Sequence, residues 1–542
     1  MMNQLFGDSS RRSIPFNWLW AIPFVVLSTF IAKGELIFAP VESDSGLFAY
    51  TGMLVLDGAL LFRDTPFAFR PPGIYLINAL ALWLFGHSSL AIHIAHVIWT
   101  SFMALALALL LRKFCRPSVL YAVMFLFVVL FSIGALGTGN TGDNYLGLPI
   151  IIGLYLLIRG QSSSPTGRTS LLVGLMIGLA LIFKQPAVFV AITLWPVLLW
   201  FWKADGLTRL SIVRRSALFI TGVMIPITLL SLYAVMMGVF KDMVFEILLF
   251  PLDAISSGRN PISKLSVFSF AGIILGYFLL PATFWCCVIG LGWLRRRLEF
   301  TRTHALLISW LAGSLIGVFA HGMPAARYYL PAVPAICAIA GLAMEWCMGS
   351  KGPLAKYPSR VRRNVVLILF GLLLAPRVSR DLNEFSAHFL FPQEEANTPT
   401  VMESLASFIG ERTDPNDYIY GYGSHKYAAV AFVTQRRFAT RHVSPKIFDG
   451  RGYENQNFPP PERTVWMLEE WQNQIIETEP KFIFALKDSV LADPRLSDLA
   501  SWVSEHYQDV DLEDLPSGFS GGEEPYQNAL PVRVRITNQG DR

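Results

Sequence analysis

Long apolar runs dominate this sequence and restrict it to folds that a lipid bilayer can surround. They recur from residue 15 to about residue 376. Many are near 20 residues long, and a helix of about 20 apolar residues spans a hydrocarbon core of roughly 30 Å. Only 15% of the 542 residues are charged, whereas soluble proteins have about 25%. We therefore expect a polytopic α-helical membrane protein.

The composition changes near residue 376 to that of a water-soluble protein. The sequence therefore predicts two domains: a transmembrane domain over 1–376, with a long first outer loop at 40–88, and a soluble domain over 377–542. Helical and strand-like patterns alternate in the soluble part between about 401 and 487. We expect this alternation to form a small α/β unit, in which helices cover a sheet.

Eleven apolar runs are candidate spans, and lysine and arginine indicate their orientation. The predicted spans are 15–39, 89–111, 118–136, 144–160, 170–184, 186–202, 213–237, 265–291, 304–320, 329–347 and 363–376. With a cytoplasmic N-terminus, the inner connections are 1–14, 112–117, 159–169, 203–215, 295–303 and 351–363. They hold 20 Lys and Arg residues against 8 in the outer connections, in agreement with the positive-inside rule. This bias predicts a multi-pass protein of the cytoplasmic membrane with an extracytoplasmic soluble domain. The basic residues behind the net charge of +5 are therefore interpreted as signals of membrane orientation and not as a nucleic-acid-binding surface.

The run at 72–86 is left out of this count. It begins with a Pro-Pro pair and has about 15 residues, which suits a helix that lies in the interface or enters one leaflet. Counting it as a span would place the basic residues at 112–116 outside, against the charge rule.

The stretch ESDSGLFAY (42–50) places two carboxylates where the first apolar run ends. Asp44 could cap a following surface helix, because Asp is favoured at that position. It could instead be a general base, because the border of the membrane can adjust the pKa of a carboxyl group. Glu42 is a weaker candidate for the same role of general base.

Three further polar sites follow at outer ends of spans. Asp143 lies in the glycine-rich loop GTGNTGDNYLGLP, where it either caps the next helix or faces the same cavity as Asp44. Lys184 either reaches toward the headgroups or binds a phosphate. Arg327 and Tyr328 either belong to an aromatic belt or hold phosphate oxygens, to which arginine makes bidentate hydrogen bonds.

The order of these elements resembles a known family. An acidic first outer loop precedes FRPPGIYLINALALWLFG (69–86), and then come the loop aspartate, GLALIFKQP and ARYYLPAVPA. This arrangement, over roughly residues 15–345, is similar to GT-C fold membrane glycosyltransferases that use polyprenyl-phosphate sugars. That group includes protein O-mannosyltransferases and the aminoarabinose transferase that modifies lipid A.

The resemblance implies an enzyme that moves a sugar from a polyprenyl-phosphate donor to an acceptor hydroxyl with inversion. It implies that Asp44 is the catalytic base, with Glu42 as the alternative, and that Asp143 belongs to the catalytic set. It also implies that Lys184, Arg327 and Tyr328 bind the donor phosphate. Many relatives have adjacent Asp-Glu in the first loop, whereas this chain has Glu-Ser-Asp. Some relatives hold a divalent cation near this site, and nothing in this sequence requires one.

Two other functions are consistent with the same residues. A transporter or flippase of a lipid-linked saccharide would also be a multi-pass protein, although such proteins often show internal repeats and ionisable groups near the membrane midplane. A non-catalytic relative is the other alternative. The acceptor is a glycan, a lipid or a protein, and membrane lipids surround the chain in each case.

Overall fold

A computed structural model describes most of the chain. The described residues are 16–34, 37, 39–41, 43–133, 139–159, 165–252, 271–295, 298–321, 326–389, 401–423, 427–443, 461–510 and 531–536. Glu42, one of the two candidate bases, lies outside them.

In its described parts, the chain before residue 390 consists of helices and the turns and loops that join them. Its α-helices are α1 (Trp18–Ala32), α2 (Ser43–Leu56), α3 (Gly73–Phe85), α4 (Ser89–Leu111), α5 (Pro117–Phe131), α6 (Gly142–Tyr145), α7 (Gly147–Arg159), α8 (Gly167–Phe183), α9 (Ala187–Ala204), α10 (Arg209–Met236), α11 (Phe240–Val244), α12 (Leu280–Leu294), α13 (Arg302–His321), α14 (Val333–Met348) and α15 (Ser359–Phe389). Two π-helical turns (Phe245–Leu249 and Ile274–Phe278) and a 3₁₀ helix (Ala326–Ala332) lie between them.

The helices confirm the expected multi-pass membrane architecture. Five helical segments in the described residues are long and apolar enough to cross a membrane: α4, α9, α10, α13 and the 3₁₀ helix with α14. Shorter apolar helices lie at α1, α3, α5, α8 and α12. A helix lies in each of the eleven predicted spans, but the count of eleven crossings and the orientation stay predictions. Helix α15 continues through residue 376, where the sequence predicts the domain boundary.

Glycine allows α8 and α10 to pack at backbone distance. A Cβ on Gly174 would lie 2.0 Å from the Phe219 carbonyl oxygen, and one on Gly222 would lie 2.2 Å from the Leu171 carbonyl oxygen. Small residues permit such close packing because no side chain separates the helices. Both helices also contact α9.

The soluble domain is a small α/β unit, as the sequence predicted. Its elements are α16 (Val401–Glu411), β1 (Tyr418–Gly421), α17 (Ala428–Thr434), β2 (Arg437–Phe438), α18 (Pro461–Thr478), β3 (Phe482–Phe484), α19 (Asp488–Leu491), a 3₁₀ turn (Pro494–Leu496), α20 (Ser497–His506), β4 (Tyr507–Asp509) and β5 (Val532–Arg535). The strand order is β2-β1-β3-β5-β4. Strand β1 pairs in parallel with β2 and β3, whereas β5 pairs antiparallel with β3 and β4.

The soluble domain packs directly on α2, the helix that begins beside Asp44. A Cβ on Gly46 would lie 2.5 Å from the Cβ of Ala429 in α17, so only glycine fits there without displacement. The Phe438 N–H of β2 donates a hydrogen bond to the Tyr50 hydroxyl at 2.7 Å. These contacts place the soluble domain at one end of the helical bundle, next to the first loop.

Candidate active site

Five charged side chains line one polar cleft at the end of the bundle that contacts the soluble domain. They are Asp44, Arg70, Asp143, Lys184 and Arg327, around a volume of about 260 Å³. Four of the five are residues that the sequence singled out. The chain brings them together from α2, the loop before α3, α6, the end of α8 and the 3₁₀ helix.

Asp44 lies in the first turn of α2 and forms an ion pair with Arg327. The Arg327 Nη1 donates to the Asp44 Oδ2 at 2.5 Å. The Asp44 side chain is 14% exposed and the Arg327 side chain 34%, so the pair is open to the cleft. The start of α2 is held to the next loop because the Asn140 N–H donates to the Ser45 hydroxyl at 2.8 Å.

Asp143 and Lys184 form a second, more deeply buried ion pair. Their side chains are only 5% and 3% exposed. Thr141, not Asp143, occupies the N-cap of α6, so the capping role considered for Asp143 is wrong. A Cβ on the intervening Gly142 would lie 2.5 Å from the carbonyl oxygen of Phe183. This close approach of α6 to the end of α8 places the aspartate against the lysine.

Tyr328 connects the two ion pairs. The Lys184 Nζ lies 4.4 Å from the centre of its ring, and the guanidinium carbon of Arg327 lies 5.5 Å from it. A cation over an aromatic face is attracted by the quadrupole of the ring. The tyrosine is buried, so it packs between cations inside the protein and is not part of a lipid-facing belt.

Arg70 is the site residue that sequence reasoning missed. It precedes the Pro-Pro pair that begins α3, and it lines the same cleft as both aspartates. The preceding residue, Phe69, has a positive φ of 45°, a left-handed conformation that is uncommon for a bulky residue. The available signal was the second arginine of the first loop, immediately before the Pro-Pro pair that precedes α3.

A second, mainly apolar cleft adjoins the polar one. Its volume is about 340 Å³, and it shares Asp143 and Lys184 with the polar cleft. The rest of its lining comes from α6, α9, α13 and the 3₁₀ helix, and includes Ala187, Val190 and Val318. A ligand with an anionic head and an apolar tail would fit this pair of clefts.

The described residues offer a metal ion a poor set of ligands. No group of three or more His, Cys, Asp or Glu side chains comes together in the described ranges. Both aspartates of the cleft already contact cations. The Nε2 of His93 in α4 is in contact with the Ala39 carbonyl oxygen at 3.0 Å.

Comparison with known sequences gives a partial family match. A model of the dolichyl-phosphate-mannose-protein mannosyltransferase family matches residues 69–233. The matched segment contains Arg70, Asp143 and Lys184. A search of curated proteins found no significant match.

Comparison with solved structures gives matches over nearly the whole chain. ArnT from Cupriavidus metallidurans in the apo state has a TM-score of 0.59 at 14% identity, and the match covers 95% of this chain and 97% of that one. The same protein bound to undecaprenyl phosphate gives 0.55 at 15% identity, with 95% and 98% covered. The apo oligosaccharyltransferase of Archaeoglobus fulgidus gives 0.50 at 12% identity, with 87% and 70% covered. These matches confirm that the chain has the expected GT-C fold, which it shares with the proteins of these structures, and the family match covers residues 69–233 of it.

Proposed function

We propose that this chain transfers a sugar from a polyprenyl-phosphate donor to an acceptor hydroxyl, with inversion and with Asp44 as the base. The observation that supports the donor most directly is the charge of the polar cleft. Three cations and two carboxylates line it, which leaves one positive charge in excess when each group is ionised. A phosphodiester has one negative charge and would complete the balance.

The adjoining apolar cleft supports a lipid as the carrier of that phosphate. Its apolar lining begins at Lys184, where the polar cleft ends. A polyprenyl chain could leave the phosphate there and continue between α9 and α13. The ArnT structure, which shares the fold, was solved with undecaprenyl phosphate, and the matched family is named for dolichyl-phosphate mannose.

The ion pairs suggest how the donor would activate the base. While Arg327 contacts Asp44, the carboxylate is stabilised in its ionised form and is a weak proton acceptor. A donor phosphate that binds Arg327 would draw this guanidinium away from Asp44. Asp44 would then accept the proton of the attacking hydroxyl, while the cations stabilise the charge that develops on the leaving phosphate.

In this proposal the new glycosidic bond forms as the bond from the anomeric carbon to the phosphate oxygen breaks. The acceptor oxygen attacks from the face opposite the phosphate, so a single displacement inverts the anomeric configuration. The proton goes to Asp44 and the electron pair of the broken bond stays on the polyprenyl phosphate. Asp143 would keep Lys184 ionised and in place. The Tyr328 ring would lie between Lys184 and Arg327 and hold both cations.

We place this reaction on the extracytoplasmic face of the cytoplasmic membrane. The positive-inside bias supports that orientation, and the cleft and the soluble domain share one end of the bundle. Glycan, lipid and protein acceptors all present hydroxyl groups of the required kind. The soluble domain lies beside the start of α2, where an acceptor would approach Asp44.

Sugar transfer in purified membranes tests the proposal. Membranes with the wild-type chain receive a polyprenyl-phosphate donor with a labelled sugar and a panel of glycan, lipid and peptide acceptors. We expect Asp44→Asn to lower transfer by about 10²-fold or more, because it removes the general base. Asp57→Asn is the matched control, since Asp57 is exposed just beyond the other end of the same helix. Equal activity of Asp44→Asn and wild type would refute the role of Asp44, and movement of intact donor across the membrane without a new glycosidic bond would favour a flippase.

A further inference from the structure

Glu246 is a buried carboxylate that the proposed reaction does not use. It lies in the π-helical turn after α11, outside the candidate membrane spans, and only 1% of its surface is exposed. Its Oε1 accepts a hydrogen bond from the Ala68 N–H at 3.0 Å, across 178 positions of sequence. It is not among the residues that line the polar cleft. Its contact therefore reaches the cleft only through the segment that precedes Arg70.

That segment, Phe67–Arg70, has an unusual backbone that needs support. Phe69 is in the left-handed region at φ 45°, which costs energy for a residue with a Cβ. The Phe69 N–H, next along the chain from the Ala68 N–H, also lowers the pKa of Glu246. The turn at Phe69 sets the direction of Arg70, so the carboxylate holds, through Ala68, the segment that determines where the guanidinium points.

Two further residues hold the same segment from other sides. Gln185, next to Lys184, donates from its Nε2 to the Phe69 carbonyl oxygen at 3.4 Å and to the Ile247 carbonyl oxygen at 3.3 Å. From the soluble domain, the Arg441 carbonyl oxygen accepts from the Phe67 N–H at 2.9 Å. The segment is therefore fixed by the turn after α11, by the end of α8 and by the soluble domain together.

We propose that Glu246 is a positioning residue for Arg70, whose guanidinium it fixes toward the phosphate of the donor. This inference rests on the proposed function, in which the cleft binds a polyprenyl-phosphate sugar. It adds a residue that does not line the cleft, and it gives a role to a buried carboxylate. Such a group costs free energy to bury unless its hydrogen bonds compensate.

The charge of Glu246 makes the effect dependent on pH. Burial raises the pKa of Glu246 to about 7, against the opposing influence of the Ala68 N–H and of Arg441. The ionised carboxylate accepts the Ala68 N–H through its Oε1 as a charge-assisted hydrogen bond. The protonated carboxyl group is a weaker acceptor and holds this peptide unit less firmly. Donor affinity should therefore rise as pH increases through about 7.

The other charged groups near Glu246 do not produce the same change. Asp242 on its own segment and Arg441 of the soluble domain are the charged neighbours that act on it, and aspartate and arginine are not residue types that ordinarily change charge near pH 7. Burial lowers the pKa of His442, next to Arg441, below its usual 6.5, so it is already neutral at the pH where Glu246 ionises. The phosphodiester of the donor keeps one charge throughout this range.

The test measures binding of a short-chain polyprenyl-phosphoryl-mannose, a soluble phosphodiester, to the full-length protein in detergent between pH 5.5 and 8.5. Glu246→Gln keeps the shape but replaces one acceptor oxygen with an NH₂ group. We expect wild type to bind about tenfold more tightly at pH 8 than at pH 6, because a hydrogen bond to an ionised group is involved. Glu246→Gln should bind weakly and without this pH dependence. Asp57→Asn is the control with the same charge change, at an exposed position that does not act on Glu246.

A second variant and a double variant separate positioning from loss of folding. Gln185→Leu should weaken the same probe, because it frees the Phe69 carbonyl from another side. In an Arg70→Ala background, Glu246→Gln should have no further effect, since the residue acts through Arg70. If Arg70→Ala weakens the probe while Glu246→Gln binds like wild type at every pH, the inference is overturned and the proposed function stands. If Arg70→Ala and wild type bind the probe equally, the phosphate site itself is wrong, and the inference falls with it.

Discussion

The buried pair of Asp143 and Lys184 leads to the most quantitative prediction. Both side chains are at least 95% buried, and Arg70 and Arg327 add positive charge near the lysine. Asp143→Asn would leave the Lys184 ammonium in a buried, positively charged surrounding without its carboxylate. Removing one partner of a buried pair costs about 3–5 kcal/mol. We expect about 3 kcal/mol here, because the asparagine oxygen can still accept a hydrogen bond from the ammonium.

The double variant Asp143→Asn, Lys184→Met tests the reason for that loss. It replaces the pair with neutral side chains of similar size, and such replacements are often close to neutral in stability. We therefore expect it to be more stable than either single variant, although it should bind the polyprenyl-phosphate donor poorly because Lys184 is gone. Stability and donor binding would thus separate in one protein.

Reversible unfolding in mixed detergent and SDS micelles, followed by tryptophan fluorescence, gives the free energies. Asp205→Asn is the control, because its partner Arg302 and Asp205 itself are more than a quarter exposed, and an exposed pair contributes only about 0–1 kcal/mol. A double variant that loses the sum of the two single losses would refute the reasoning, since the pair would then not be coupled.

Three further predictions concern the contacts around the first loop. Gly46→Val places side-chain atoms against Ala429 and should release the soluble domain, seen as faster limited proteolysis, whereas Gly371→Ala in open space should not. Tyr50→Phe removes the acceptor of a 2.7 Å hydrogen bond from the backbone of β2 and should lower the unfolding free energy by about 1 kcal/mol; an unchanged value would show that the contact is absent in solution. The folded pKa of Glu246 is raised to about 7 from 4.5, so its stabilising contribution is complete below pH 4.5 and is lost as pH rises through 7. The stability of wild type relative to Glu246→Gln should accordingly fall by about 3 kcal/mol between pH 4.5 and 8, and a constant difference would contradict it.

The sequence alone determined the class of the fold and the membership of most of the candidate site. Apolar runs of membrane length dictate helices, because lipid leaves a spanning backbone no other way to satisfy its hydrogen bonds. Asp44, Asp143, Lys184 and Arg327 were recognisable because a charged residue at the edge of an apolar run is costly and needs a reason. The alternating pattern after residue 401 indicated the strands β1, β2 and β3. The strands β4 and β5 gave no comparable signal.

Only the tertiary structure decided which of these charges face one another. The pairing of Asp44 with Arg327 joins positions 283 residues apart, and the contact of Glu246 with Ala68 joins positions 178 apart. A local pattern contains no information about such distant partners. Arg70 is a site residue because the fold brings the segment before α3 to the cleft. Thr141 is the N-cap of α6, and Asp143, inside the helix, pairs with the buried Lys184 instead. The sequence supplied the charged groups, and the packing of helices around them set their pairing, because burial makes an unpaired charge far more costly than a paired one.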